Sequence, residues 1–202
     1  MTEAIGGWRL VGALSAVIAA ATLIFAARDD FDAQGLRMAL HFTARTSLIL
    51  FLLAFSASAL RKLWPNTRTQ WLLRNRRYLG LSFAASHAMH AVAIIAFALT
   101  APTAFREATS PATFVFGGIG YALIIALAAT SFDRTASAIG PRAFKILHRT
   151  GLFYLWAQFT VSFVKHHDGT AVYWLFLALL AGAMLLRIAA WRLARTAPVR
   201  VG

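Results

Sequence analysis

The chain has 202 residues, 59% hydrophobic, 13% charged and without cysteine, and its mean hydropathy is +0.65. Soluble domains hold about 45–50% apolar and about 25% charged residues, so the surplus here must face lipid. The lack of cysteine excludes disulfide scaffolds, iron–sulfur clusters and thiolate chemistry. A net charge of +13 in so apolar a chain orients it in a membrane and does not mark a nucleic-acid binder.

Six membrane-spanning helices are predicted, at residues 10–27, 38–60, 78–100, 112–132, 144–164 and 171–191. The first is uncharged and is read as a retained span, because no small-residue cleavage site follows it. The second carries His41 and Arg45 in its opening turns and is uncharged thereafter. The third has no charged residue but holds His87 and His90. The fourth is uncharged and contains Gly117, Gly118 and Gly120. The fifth starts with Lys145, His148 and Arg149, and Pro141 after Gly140 is a suitable first helical residue. The sixth has Arg187 where its stem can snorkel.

The loops sort by charge. Residues 61–77 hold Arg61, Lys62, Arg68, Arg74, Arg76 and Arg77 with no acid, and residues 133–149 and the tail from Arg187 are also basic. Together with the N-terminal segment, in which Glu3 and Arg9 cancel, these sum to +13, against −1 for residues 28–37, 101–113 and 165–170. Positive loops stay in the cytoplasm, which predicts both termini inside. The expected architecture is therefore an all-α, polytopic six-helix bundle forming a single transmembrane domain over residues 1–202. Trp64, Trp71, Leu72 and Leu73 among the arginines of 61–77 suit a short segment on anionic headgroups. No glycine-rich loop follows a strand, which removes a nucleotide-binding fold.

Ionisable residues inside spans are functional suspects. His87 and His90 are three apart and share a helical face, about 15 and 20 Å into a hydrocarbon layer of about 30 Å. His148 lies on another helix, about 10 Å from Pro141. Imidazoles from separate helices, without thiolate or carboxylate partners, point to heme iron and away from zinc or a di-iron centre. His41 and Arg45, one turn apart on one face, form a polar pair fit for a propionate or a quinone oxygen. His166 and His167, beside Lys165 and Asp168, read as interfacial polar residues.

His41-Phe42-Thr43-Ala44-Arg45-Thr46 resembles the His-Phe-Thr-Gly-Arg-Thr signature of the heme-binding membrane subunits of bacterial periplasmic methionine sulfoxide reductase systems. Arg76-Arg77-Tyr78-Leu79-Gly80-Leu81, continuing to His90, and Leu147-His148-Arg149 resemble the starts of those subunits' third and fifth spans. They belong to the ferric reductase-like transmembrane superfamily. The resemblance implies a multi-pass protein of the bacterial inner membrane with b-type heme, one or two, between the third and fifth spans. His90 and His148 match family ligands. The family's second fifth-span histidine, 13 residues further on, is Val161 here, and His87 is an addition.

The expected metal ligands are therefore His148 on one heme face and His87 or His90 on the other. His41, Arg45, Arg77 and Arg149 are further cofactor-binding candidates, and Arg76, Arg77 and Arg149 could neutralise propionates or dock a donor. The expected function is transmembrane electron transfer from a cytoplasmic flavin reductase or quinol to an outer-side redox protein, as the electron-transfer subunit of an oxidoreductase. Two alternatives stand beside it. One is a cofactor-poor assembly subunit of a larger membrane complex, and the other a surface ferric or cupric metalloreductase using His166, His167 and Asp168.

Overall fold

In the computed structural model, which describes residues 5–165 and 169–196, the described chain is helical throughout and contains no strand. His166, His167 and Asp168 lie outside the described residues. The helices are α1 (Gly7–Ala27), α2 (Ala33–Leu63), α3 (Thr67–Arg74), α4 (Arg76–Thr100), α5 (Pro102–Ala108), α6 (Pro111–Ala129), α7 (Asp133–Lys165) and α8 (Ala171–Thr196). Five of them, α1, α2, α4, α6 and α8, are long and apolar enough to cross a membrane. The fifth expected span, residues 144–164, falls on α7, which is diluted by Lys145, His148, Arg149 and Gln158.

Local chemistry sets the boundaries. Asp30 and Phe31 take left-handed backbone angles between α1 and α2, and the Asp32 carboxylate then accepts from the amides of Gln34 and Gly35 at 2.8 and 2.9 Å. This cap starts α2 at Ala33, earlier than the apolar run alone predicts. Gly35 lies against the end of α1, where a Cβ would stand 2.5 Å from the Ala26 carbonyl oxygen. Asn66 and Thr69 cap α3 reciprocally. Ser110 and Pro111 open α6 in the usual order of cap and first-turn proline. Within α7, Gly140 has φ +76°, a conformation costly for other residues, and Pro141 begins the straight segment beyond.

Buried Asn75 stitches one end of the bundle together. Its Oδ1 accepts from the Gly7 amide at 2.9 Å and its Nδ2 donates to the Trp71 carbonyl at 3.0 Å. Arg77 donates to Asp133 at 3.0 Å. The starts of α1, α4 and α7 thus share one end with α3, and most of the basic segments gather there; this is called the basic end below.

The centre is α2, whose most apolar window is half buried, while the corresponding windows of the other four spanning helices are 11–22% buried. Phe51, Phe55 and Leu48 of α2 are enclosed by Phe83, Phe159 and Leu180 of α4, α7 and α8. The outer shell is apolar, with Ile24, Val92, Leu99 and Ile125 each about two-thirds exposed or more. An apolar exterior of this kind is matched to lipid.

Candidate functional site

α4 turns Ser86 and His90, spaced by four, toward Ser47 and Thr43 of α2, and Ser82, one turn earlier, donates to the Tyr78 carbonyl of its own helix at 2.9 Å. Ser47 and Ser86 share a hydrogen bond of 2.9 Å, and all four hydroxyl residues are fully buried. The Thr43 hydroxyl lies 2.8 Å from His90 Nδ1 and 2.8 Å from the Ala39 carbonyl. If the Thr43 proton serves that carbonyl, the hydroxyl accepts from His90, an arrangement that would put the imidazole proton on Nδ1 and leave Nε2 with a lone pair.

His87 sits one turn nearer the basic end in a shell of rings. Its centroid is 4.9 Å from Tyr121, 5.2 Å from His90, 5.6 Å from Phe83 and 5.9 Å from Phe159. Its Nδ1 is buried without a hydrogen-bond partner. An unpartnered buried imidazole nitrogen costs free energy and needs an explanation, of which a bound ligand is one. His41 is close enough to His90 for their charges to interact.

Of the other candidates, Arg45 turns from His41 toward α8, with its guanidinium 5.8 Å above the Tyr173 ring. His148 Nε2 pairs with the Thr130 hydroxyl at 3.1 Å, and its ring packs 4.1 Å from Phe144. Arg77 is held by Asp133, and exposed Arg149 lies at the basic end within electrostatic range of Arg187.

The register of α6 against α7 fixes the relative depths. Gly151 meets Leu127, Gly120 meets Tyr154 and Leu155, and Thr130 meets His148. Tyr121, which contacts His87, is nine residues before Thr130. His148 therefore lies about 13 Å nearer the basic end than His87 does. The structure brings His87 and His90 together, with His41 in range, and keeps His148 apart. At the level of His87, α7 offers Phe159 and no imidazole. Val161 is half exposed. Among the described residues no group of three or more His, Asp or Glu is arranged to hold a metal ion.

The chemistry of the α4 side fits imidazoles that would hold heme iron. His90 is oriented by a hydroxyl on its far nitrogen, His87 has an orphaned nitrogen, and aromatic rings keep water away. Ligation from α7 at the same level does not fit.

Thr43, Ser47 and Ser86 were not singled out by sequence. Their signal is the spacing of small hydroxyl residues by four within two spans, 43 and 47 in one and 82 and 86 in the other, in line with His90.

A bundle of apolar-coated helices enclosing a buried polar seam defines a multi-pass helical membrane protein. Residues 42–160, more than half of the chain, match the ferric reductase like transmembrane component family. The chain belongs to that family, and this gives it a membrane redox role. No curated protein and no solved structure gave a match.

Proposed function

We propose that this chain is a six-span b-type cytochrome subunit of the bacterial inner membrane, with both termini cytoplasmic, that passes electrons from a separate inner-side donor to an outer-side redox protein. The observation that carries this reading is the His87–His90 pair at mid-depth, held between a buried hydroxyl seam and a shell of rings, in a chain of the ferric reductase-like family. A bound heme would supply one-electron ferric/ferrous chemistry. His90 would hold it from α4, with its Nδ1 proton fixed by Thr43 so that Nε2 is available, and His87 is the second donor on that helix. Phe83, Tyr121 and Phe159 would keep water from this level of the bundle. The segment of α7 from 141 to 165 is about 37 Å long, enough to cross as the fifth of six spans despite its polar start. The basic end of the bundle supports cytoplasmic termini.

The test is a pyridine hemochrome assay with a reduced-minus-oxidised spectrum on the full chain purified after heme-supplemented expression. The expected result is b-type bands that His90→Ala removes and His148→Ala retains. A colourless protein would overturn the reading. It would favour the cofactor-poor assembly subunit, which the absence of an imidazole on α7 opposite His87 supports.

A further inference from the structure

Three helices each bring an arginine to the basic end on an inward face. On α4, Arg76 is aligned with Phe83 and His87, seven and eleven residues on, and both of those rings touch Phe159 of α7. On α7, Arg149 stands one turn before Phe153, whose ring meets Phe55 of α2 at 6.0 Å. On α8, Arg187 continues the buried stripe of Phe176, Leu180 and Ala183. We infer that Arg76, Arg149 and Arg187 bind the phosphate group of a phosphomonoester at the inner mouth of the bundle. The inference stands independently of heme binding.

Ring contacts set the heights. Arg187 is level with Phe55 and Phe153, its guanidinium 4.4 and 5.3 Å from their centroids. Counted back along α4 and α7 from Phe83 and Phe159, which are 6.1 Å apart, Arg76 is level with Leu152. Arg149 is about 6 Å from Phe153 along the axis, so all three cations fall within about one helical turn. Arg76 is in electrostatic range of both His148 and Arg187, and Arg149 is in range of Arg187. The three therefore form one group.

No acid balances them. α2, α4 and α8 contain no Asp or Glu, and the one acid of α7, Asp133, precedes the Gly140 bend and is held by Arg77. Among the described residues Arg76 and Arg149 make no hydrogen bond or ion pair. Arg187 uses one donor on the Phe55 carbonyl at 2.8 Å, and this bond and the two rings fix its plane while its other N–H groups stay available. Unpaired like charges repel one another at a partly buried site, and a bound anion removes that repulsion. Guanidiniums from three helices suit the tetrahedral oxygens of a phosphate better than the two coplanar oxygens of a carboxylate. A phosphodiester would leave two of the three charges uncompensated, whereas a monoester carries about −1.5 to −2. Arg149 is exposed and Arg76 half-buried, so such an ester can enter as a lipid headgroup or from the aqueous side.

The experiment measures phosphate bound by the full-length protein. Protein in detergent is equilibrated with radiolabelled orthophosphate at an ionic strength held constant with chloride. Saturable binding of one phosphate per chain is expected. Arg76→Gln and Arg149→Gln should each weaken it about tenfold, the loss of one charged hydrogen bond. Neither side chain has a partner to lose, so helicity by circular dichroism should be unchanged, and should one variant fail to purify the other reads the same site. Arg74→Gln removes the same charge from an exposed position on α3 and should leave binding nearly unchanged. Phosphatidylcholine nanodiscs with and without phosphatidic acid then separate the two sources. Displacement of orthophosphate by phosphatidic acid, which native mass spectra show retained by the parent protein and lost by both variants, assigns the site to a headgroup. Orthophosphate and glycerol 3-phosphate binding equally in both nanodiscs assigns it to a soluble ester. No saturable binding from either source, equal weakening by Arg74→Gln, or binding that heme loading abolishes would each overturn the inference, the last by giving the arginines to the heme propionates.

Discussion

A single hydroxyl carries much of the site. Thr43 is bonded within its own helix to Ala39 and across the interface to His90, so it both ties α2 to α4 and orients the imidazole. An interhelical hydrogen bond in a membrane protein is worth on average about 0.6 kcal/mol and at most about 1.7. Thr43→Ala should therefore leave the protein folded, with only a small loss in thermal stability. Its larger effect should fall on His90, whose ring would lose its orienting partner. In heme-loaded protein the expected signature is a changed absorption spectrum and a shifted midpoint potential. Thr43→Ser should restore both, because it returns the hydroxyl. A stability loss with unchanged spectrum and potential would reduce Thr43 to helix glue. His87 invites a complementary substitution: His87→Phe keeps the ring contacts with Phe83, Tyr121 and Phe159 and removes the orphaned nitrogen. If that nitrogen awaits a ligand, heme content should fall on this substitution. If it is merely tolerated, the variant should be more stable and equally coloured.

Among the elements, the six long helices were legible because each is a run with few charges, and α3 falls within the basic, tryptophan-containing stretch 61–77 that was read as a short connecting segment. Short α5 was not foreseen, since its seven residues follow directly on α4 and have no separate apolar run. The start of α2 was misplaced by five residues because Arg37 lies within its first turns, whereas the Asp32 cap decides the boundary. That His87 and His90 share a face was legible from their spacing. Their separation from His148 was not. The register that puts His148 beside Thr130, far from His87, depends on the bend at Gly140 and on close α6–α7 contact at Gly120 and Gly151, and no spacing along one helix records that. Two glycines test these joints. Gly35→Ala pushes a methyl group into the Ala26 carbonyl and should cost about 1–3 kcal/mol, the range for overpacking. Gly140→Ala forces a left-handed backbone angle on a residue with a Cβ, at a cost of about 1–2 kcal/mol. If α7 needs that bend, Gly140→Ala should lower the melting temperature without altering any contact at Gly140 itself, where a Cβ meets nothing. A melting temperature unchanged in Gly140→Ala would mean that α7 accommodates a straighter path.

For the whole molecule, the arrangement of charge and the arrangement of depth must describe the same object. Asn75, Arg77 and Thr130 fasten the starts of α1, α4 and α7 and the end of α6 at one end, and α2 and α8 deliver their closing arginines there as well. A bundle assembled this way has one strongly basic end, and the cost of moving such loops across the membrane orients it. It also sets the depth of the histidine pair: ten and thirteen residues beyond Arg77, His87 and His90 stand near the middle of the hydrocarbon layer, about 15 and 20 Å from the basic end. A carrier there is roughly equidistant from both surfaces, whereas His148 belongs to the basic side. Because the chain has no cysteine, single cysteines can test this orientation directly. Thr67→Cys, exposed at the start of α3, and Ala108→Cys, exposed at the end of α5, lie on opposite faces of the proposed topology. A membrane-impermeant maleimide added to intact spheroplasts should label Ala108→Cys and leave Thr67→Cys unlabelled until the membrane is broken. The reverse pattern would invert the direction of electron flow, and labelling of both from outside would remove α4, which alone separates the two positions, from the spanning helices.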